Sequence, residues 1–337
     1  MLRALPSLLA GSLWAASVWA PAAGAASNEV RVEGYAEWRR GDILIVDGQR
    51  VRPAAKLKFK GDGEAHDLRS IPLGYEVKVK GVRLIDGTLL ARELEAKPNG
   101  DALFEGDLRA AFDERERQYK SQRRMFDEDD KGHLSQDYGR LSEDGPEVER
   151  VRRITGRLVP SYLRPDDFRV YVVENKDWNA MAAPNRSIYV FSGLLKDMDD
   201  DEVAIVLGHE LTHATHEHSR KEFKKQMLIQ LAALGVVAGA EGIDNSAKRI
   251  GLQAIALIGA TAWTNGYGRT HEDQADRVGL RYAFEGGFEA SKGPGLWMKF
   301  AKKYGEGNKA ANFFFSDHSQ SVARARNLER ELAMNYR

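Results

Sequence analysis

Five residues near the middle of the chain, His209-Glu210-Leu211-Thr212-His213, restrict what this sequence can fold into more than any other stretch. On an α-helix, positions four apart project from one face, so His209 and His213 can hold one metal ion while Glu210 reaches a water beside it. Asp199 stands three residues before Glu202, an N-terminal capping pattern, and Asp200 and Asp201 place negative charge where the helix dipole favours it. The spacing predicts a helix from about Asp199 to about Phe223 and demands a third ligand from elsewhere.

His216 shares the face of His209 and His213, but its Cα lies about 10 Å along the axis from that of His209, out of reach of one ion. In one class of metalloprotease a glycine seven places after the first histidine lets the chain turn toward a third; here His216 occupies that position and Ser219 the ligand position, which disfavours that class. His216 and His218 are read as surface or supporting residues.

A second segment supplies what is missing. Glu272 and Asp276 are four apart and share a helix face, with Ala275 and Val278 fitting an inner surface. A carboxylate from a second helix completes a two-His, one-Glu site with an open fourth position, the arrangement of catalytic zinc. Asp276, one turn on, is placed to accept the outward N–H of a ligating histidine and fix its tautomer.

With both halves in view, the catalytic half resembles the HtpX-like and CAAX-prenyl-protease-like zinc metalloendopeptidases of the gluzincin group, peptidase family M forty-eight, of the soluble periplasmic type. The blocks carrying the resemblance lie between about Pro146 and Leu328: Asn179-Ala180, Ile188-Tyr189-Val190 with Ser192-Gly193-Leu194-Leu195, Asp201-Glu202 leading into His209-Glu210-x-x-His213 with His218-Ser219, and Glu272-x-x-x-Asp276-Arg277-x-Gly279. The resemblance implies His209, His213 and Glu272 as ligands of one zinc ion and Glu210 as catalytic base. Near the C-terminus, Phe315-Ser316-Asp317-His318 and Arg324 resemble the family's His-Pro segment followed by Arg, with Ser319 where proline is usual. His318 is expected to donate to the oxyanion of the tetrahedral intermediate, and Arg324 to hold that loop or a nearby carboxylate.

The fold class expected is α+β, a zincin-type, mainly helical domain with a small sheet, preceded by a small all-β barrel-like domain. From Glu29 to about Pro98 the pattern has period two, in Val30-x-Val32, Ile43-x-Ile45, Leu57-x-Phe59, Val77-x-Val79 and around Leu90, punctuated by turns at Asp47-Gly48, Gly61-Asp62-Gly63 and Asp86-Gly87. Tyr75 to Ala96 resembles the five-stranded oligomer-binding barrel, expected here as a spacer or docking module. Residues 101–145 are highly charged with alternating signs and read as a solvated, helical linker. In residues 146–337, the metalloprotease domain, a helix carrying Val148, Val151, Ile154 and Leu158 precedes strands at 168–173 and 187–191. Met227–Ala240 and Leu252–Trp263 are apolar but too short to span a bilayer, so a helical hairpin is expected, with peripheral membrane contact possible through its tip.

Met1-Leu2-Arg3, the apolar run to Trp19 and Ala23-Gly24-Ala25 fit a secretory signal peptide over residues 1–25, cut after about Ala25. The chain has no cysteine, which excludes a lipidated cysteine and any disulfide framework. A periplasmic location follows as the expectation. Fifty basic residues balance fifty acidic ones with no basic run interleaved with aromatics, so nucleic acid is not an expected partner.

These readings converge on an exported zinc-dependent endopeptidase acting on unfolded or misassembled envelope proteins. Extended chains would lie by strand addition along Asn179, Ala180, Met181 and Ala182. The alternative is a chaperone-like or adaptor protein that binds unfolded chains with latent or minor hydrolysis; such a binder has no need of Glu210.

Overall fold

The computed structural model describes residues 29–98, 105–128, 133–161, 163–215, 269–305 and 321–336. Its architecture is mixed α/β, with a small closed barrel and a five-stranded sheet covered by helices.

Strands β1 (Glu29–Arg40), β2 (Ile43–Val46), β3 (Gln49–Gly61), β4 (Glu76–Arg83) and β5 (Leu89–Lys97) close the barrel in the order β1-β2-β3-β5-β4. Each of the five period-two segments lies in one of them. Val46 pairs with Gln49, so Asp47-Gly48 is a two-residue hairpin turn, and both residues have positive φ, 47° and 67°. That conformation matches the twist of the flanking strands and is why Asp-Gly works there. Leu44, Val46, Val51, Val77, Val79 and Leu94 fill the interior. Strand β2 departs from simple alternation: Ile43 and Ile45 are buried as well, clustering with Trp38 on the barrel's outer wall against Tyr336.

Helix α1 (Glu105–Gln122) follows, then β6 (Arg124–Glu128), β7 (Leu134–Ser142), α2 (Pro146–Leu158), β8 (Arg169–Val173), β9 (Ala180–Ala182) and β10 (Ser187–Phe191), with sheet order β6-β7-β8-β10-β9. The stretch 101–145, expected as a solvated helical linker, is helical only to Gln122 and then supplies two strands of this sheet. Its residues Met125, Phe126, Tyr138 and Leu141 are buried with Phe112 and Tyr119 of α1. Several of its charges pair across segments: Asp137 accepts from Arg124 Nε at 2.7 Å, and Asp127 accepts from Tyr138 OH at 2.7 Å and from Arg115. Sign alternation along a chain does not distinguish local pairs from these cross-segment ones.

Strand β10 runs parallel to β8 and antiparallel to β9, which leaves β9 at the sheet edge. One face packs on α1 through Tyr171, Tyr189 and Phe191; the other packs Val170, Val172, Ile188 and Val190 on the main helical core. Helices α3 (Ser192–Asp197), α4 (Asp200–Thr215), α5 (Arg269–Glu285), α6 (Gly293–Tyr304) and α7 (Ser321–Asn335) complete the described chain. Helix α4 starts in a reciprocal cap, with Glu202 N–H donating to Asp199 Oδ1 at 3.0 Å and Asp199 N–H to Glu202 Oε2 at 3.3 Å. From Glu202 through His213 it is buried all round.

The signal peptide, the apolar pair Met227–Ala240 and Leu252–Trp263, and the histidines 216 and 218 lie outside the described residues. Among the described residues no helix is long and apolar enough to cross a membrane.

Candidate metal centre and active site

Helices α4 and α5 meet backbone to backbone. A Cβ placed on Gly208 would lie 2.4 Å from Gly279 O, and one on Gly279 would lie 2.4 Å from His209 N. Glycine at both points removes the side chains that would hold the axes apart, at a cost of about 1 kcal/mol each in helix propensity. This crossing brings the His209–His213 face of α4 against the Glu272–Asp276 face of α5.

His209, His213 and Glu272 converge, with one ligand atom from each lying within 4.8 Å of the others, all three buried. His209 Nε2 is 3.1 Å from His213 Nε2 and 3.5 Å from Glu272 Oε2, and His213 Nε2 is 3.4 Å from Glu272 Oε1. Ligands held tetrahedrally about 2.0–2.1 Å from one ion are about 3.3–3.4 Å apart, so the spacing fits a single small cation. Burial pushes the Glu272 carboxyl up to about 7, with Asp276 and Asp273 adding to the effect against His209 and Arg324. An ionised carboxylate there is stabilised by positive charge, which a bound cation supplies.

Asp276 Oδ1 lies 2.9 Å from His209 Nδ1. An ionised carboxylate only accepts, which assigns the imidazole proton to Nδ1 and leaves the Nε2 lone pair facing the other two ligands. Burial lowers the His209 pKa, and Arg324 lowers it further, so the neutral, ligating form is favoured. Arg324 is fully buried and donates from Nε to Asp276 Oδ2 at 2.8 Å and from Nη2 to Oδ1 at 2.6 Å. Burial opposes ionisation of Asp276, but the charge and hydrogen bonds of Arg324, with the His209 bond, outweigh it and hold the carboxyl well below its usual range. The Arg324 guanidinium stacks over Trp297 at 3.5 Å, and the His209 ring contacts the same indole at 5.7 Å between centroids.

Glu210 is buried beside this cluster. Its Oε1 has no hydrogen-bond partner among the described residues, and the nearby Ala182 N–H favours the ionised carboxyl. Burial first, and the charge of Glu272 second, raise its pKa well above the ordinary value. Asn179 is buried, and neither side-chain amide atom has a partner among the described residues. His318 lies outside the described residues.

The structure thus brings together His209, Glu210, His213, Glu272, Asp276, Arg324 and the 179–182 strand. Sequence reasoning missed the Gly208–Gly279 crossing, the Trp297 platform and Glu37. For Gly279 a signal existed: it stands seven residues after Glu272, two turns on along the same face, where only a small residue allows close approach. Trp297 and Glu37 carried none, because their partners are remote in sequence.

Residues 147–332, more than half of the chain, match the family model described as Peptidase family M48. The chain belongs to this family. Among curated relatives, the mitochondrial metalloendopeptidase OMA1 of Bos taurus is 28% identical over 166 residues, 48% of this chain and 32% of that protein. The putative beta-barrel assembly-enhancing protease of Vibrio cholerae is 27% identical over 140 residues, 41% of this chain and 29% of that protein. Metalloprotease YcaL of Escherichia coli K12 is 28% identical over 189 residues, 56% of this chain and 70% of that protein. The first two matches therefore span about a third of the relatives' own lengths. The M48 match begins at α2, so the barrel, α1, β6 and β7 precede it.

Proposed function

We propose that this M48 member is an exported zinc-dependent endopeptidase that cleaves unfolded or misassembled proteins of the bacterial envelope. The observation that carries the reading is the convergence of His209, His213 and Glu272 at ligand spacing with Glu210 beside them. A zinc ion held by these three would act as a Lewis acid toward water and the scissile carbonyl. Glu210 accepts the proton of the attacking water and returns it to the leaving amine, a task suited to a buried carboxylate with a raised pKa. Asp276 keeps His209 in the ligating tautomer, and Arg324 holds Asp276 ionised.

The substrate chain lies along β9. Ala183 N–H bonds to Ser187 O and Phe191 N–H to Asn179 O, so odd-numbered residues of this strand face β10. By alternation the main-chain groups of Ala180 and Ala182 face outward; Ala182 N–H meets Glu210, and Ala180 is left to pair with an extended peptide. Asn179 and Met181 flank that register. Main-chain pairing gives affinity without demanding one sequence, which suits unfolded chains. The name of the Vibrio relative, a putative beta-barrel assembly-enhancing protease, supports an envelope setting. Export rests on the signal-peptide pattern of residues 1–25. In this reading residues 29–98 form a docking module for the peptidase helices, and His318 is an oxyanion donor.

The test is cleavage of casein by the wild type and by Glu210→Gln, each with its zinc content measured. Cleavage by the wild type and its loss in the variant at equal zinc is expected. Equal cleavage by both overturns the mechanism, and zinc binding without cleavage by either favours a binding protein.

A further inference from the structure

The sheet has a second place where main-chain groups face away from any strand. Glu174 N–H donates to Arg140 O at 2.8 Å, on the β7 side, whereas Arg169 N–H donates to Arg186 O at 3.1 Å, on the β10 side. Alternation therefore turns the N–H and C=O of Val172 and Val170 toward β7. But β7 pairs only as far as Ser142, opposite Val172. Two residues earlier on β8, Val170 has no strand beside it among the described residues.

A cleft of about 430 Å³ opens at this point, lined by Val170 and Tyr171 of β8, Thr155 and Arg152 of α2, Lys120 of α1, and Glu143. Thr155 is 2% exposed and its hydroxyl has no hydrogen-bond partner among the described residues, although a helical threonine can return that bond to its own helix. A buried hydroxyl and a sheet edge facing one cleft are groups that a ligand main chain satisfies. The cations lining it are already paired, Lys120 with Glu143, Arg152 with Glu149 and Arg169 with Asp113 and Glu116, so the cleft would recognise a ligand by main-chain pairing and not by its charge.

We propose that this cleft is a second docking site, in which an extended segment of a polypeptide substrate, remote from the scissile bond, adds as a short strand to β8 through the Val170 main chain. The proposal rests on the peptidase reading above. A strand added outside β9 and one added to β8 on its β7 side would lie about four strand spacings apart, roughly 19 Å. At most about 3.5 Å per residue, at least six residues are needed in a straight line and more around the sheet. Long unfolded chains reach both edges; a peptide of about eight residues occupies only the catalytic one.

The experiment compares Val170→Pro and Thr155→Val with the wild type on casein and on a fluorogenic peptide of about eight residues. Proline removes the outward N–H without touching the β10 ladder. The expected result is a KM for casein raised at least about threefold in each variant, with kcat for casein and kcat/KM for the short peptide unchanged. Casein binding, read by fluorescence anisotropy in the Glu210→Gln background, is expected to weaken by the same factor. Unchanged casein KM in both variants, or equal losses on the long and short substrates, overturns the docking site. Failure of the wild type to cleave either substrate overturns the peptidase reading instead, and the anisotropy series then decides the docking site alone: weakening by Val170→Pro and Thr155→Val supports it, and unaltered binding removes it.

Discussion

The carboxylate of Glu37, on β1 of the barrel, accepts hydrogen bonds from Gln274 Nε2 at 2.8 Å and Arg277 Nη2 at 3.2 Å, on the face of α5 turned away from Glu272 and Asp276. Its other oxygen accepts from Gly48 N–H at 2.9 Å, and Arg277 also reaches Asp47 at 3.2 Å. Gly48 must be bare here, since a Cβ would lie 2.7 Å from Arg277 Nε at a positive φ. Phe284 packs edge to face on Trp38 and Tyr336 beside it, and Trp38 and Tyr336 meet at a tilt, at 5.0–6.0 Å between centroids. The helix carrying the third candidate ligand is thus held between the candidate ligand cluster and the barrel.

Glu37→Ala leaves the half-buried Arg277 guanidinium with one carboxylate fewer. The expected cost is about 2–4 kcal/mol in chemical denaturation. Zinc affinity should fall as well, because α5 loses its support; unaltered stability and affinity would show the contact to be incidental.

Gly→Ala in an exposed helix ordinarily stabilises by about 1 kcal/mol. Gly279→Ala is expected to do the reverse, by about 2 kcal/mol, since the new methyl group meets the His209 backbone and pushes α4 from α5. Thermal unfolding checks the sign, and bound zinc should drop in parallel.

Asp276→Asn keeps the shape but not the charge. The His209 tautomer is then held less firmly and Arg324 loses its carboxylate, so zinc affinity is expected to fall about 10- to 100-fold, measured by competition with a chelator. Retained affinity would remove Asp276 from the site.

A pH signature is expected away from the metal. Burial works against ionisation of Glu116, but hydrogen bonds from Ser187, Tyr171 and Arg169 outweigh it and hold its carboxyl below the ordinary value. Ser187 Oγ donates at 2.5 Å, Asn185 Nδ2 at 2.8 Å and Arg169 Nε at 3.0 Å. A depressed carboxylate contributes stability that is present above its unfolded pKa, about 4.3, and lost as pH falls through the folded value. Glu116→Gln should therefore cost about 1–3 kcal/mol at neutral pH. The gap from wild type should close below about pH 4. Urea unfolding at pH 7 and pH 3.5 checks both halves, and a gap independent of pH would contradict the ionised network.

Much of the site was legible because its parts are local. His209, Glu210 and His213 are tied by helical period, as are Glu272 and Asp276, and the Asp199–Glu202 cap marked the start of α4 within a residue. The barrel strands were legible for a similar reason, since alternation and Asp-Gly turns act over a few residues. The linker reading of 101–145 went astray where charges that look solvated one by one are paired with residues 12 or 13 positions away, as Arg115 is with Asp127 and Arg124 with Asp137.

By itself, then, the sequence determined the candidate ligand types, their helical spacing, the cap of α4 and the turn chemistry of the barrel, all set by interactions within about one turn of helix or one hairpin. Tertiary structure alone decided that Gly208 meets Gly279, that Arg324 closes on Asp276 across 48 positions and that Glu37 clamps Arg277 across 240. The physical reason is that a buried charge or a bare glycine declares only a need, for a counter-charge or a close neighbour, and which residue meets it depends on how distant elements pack.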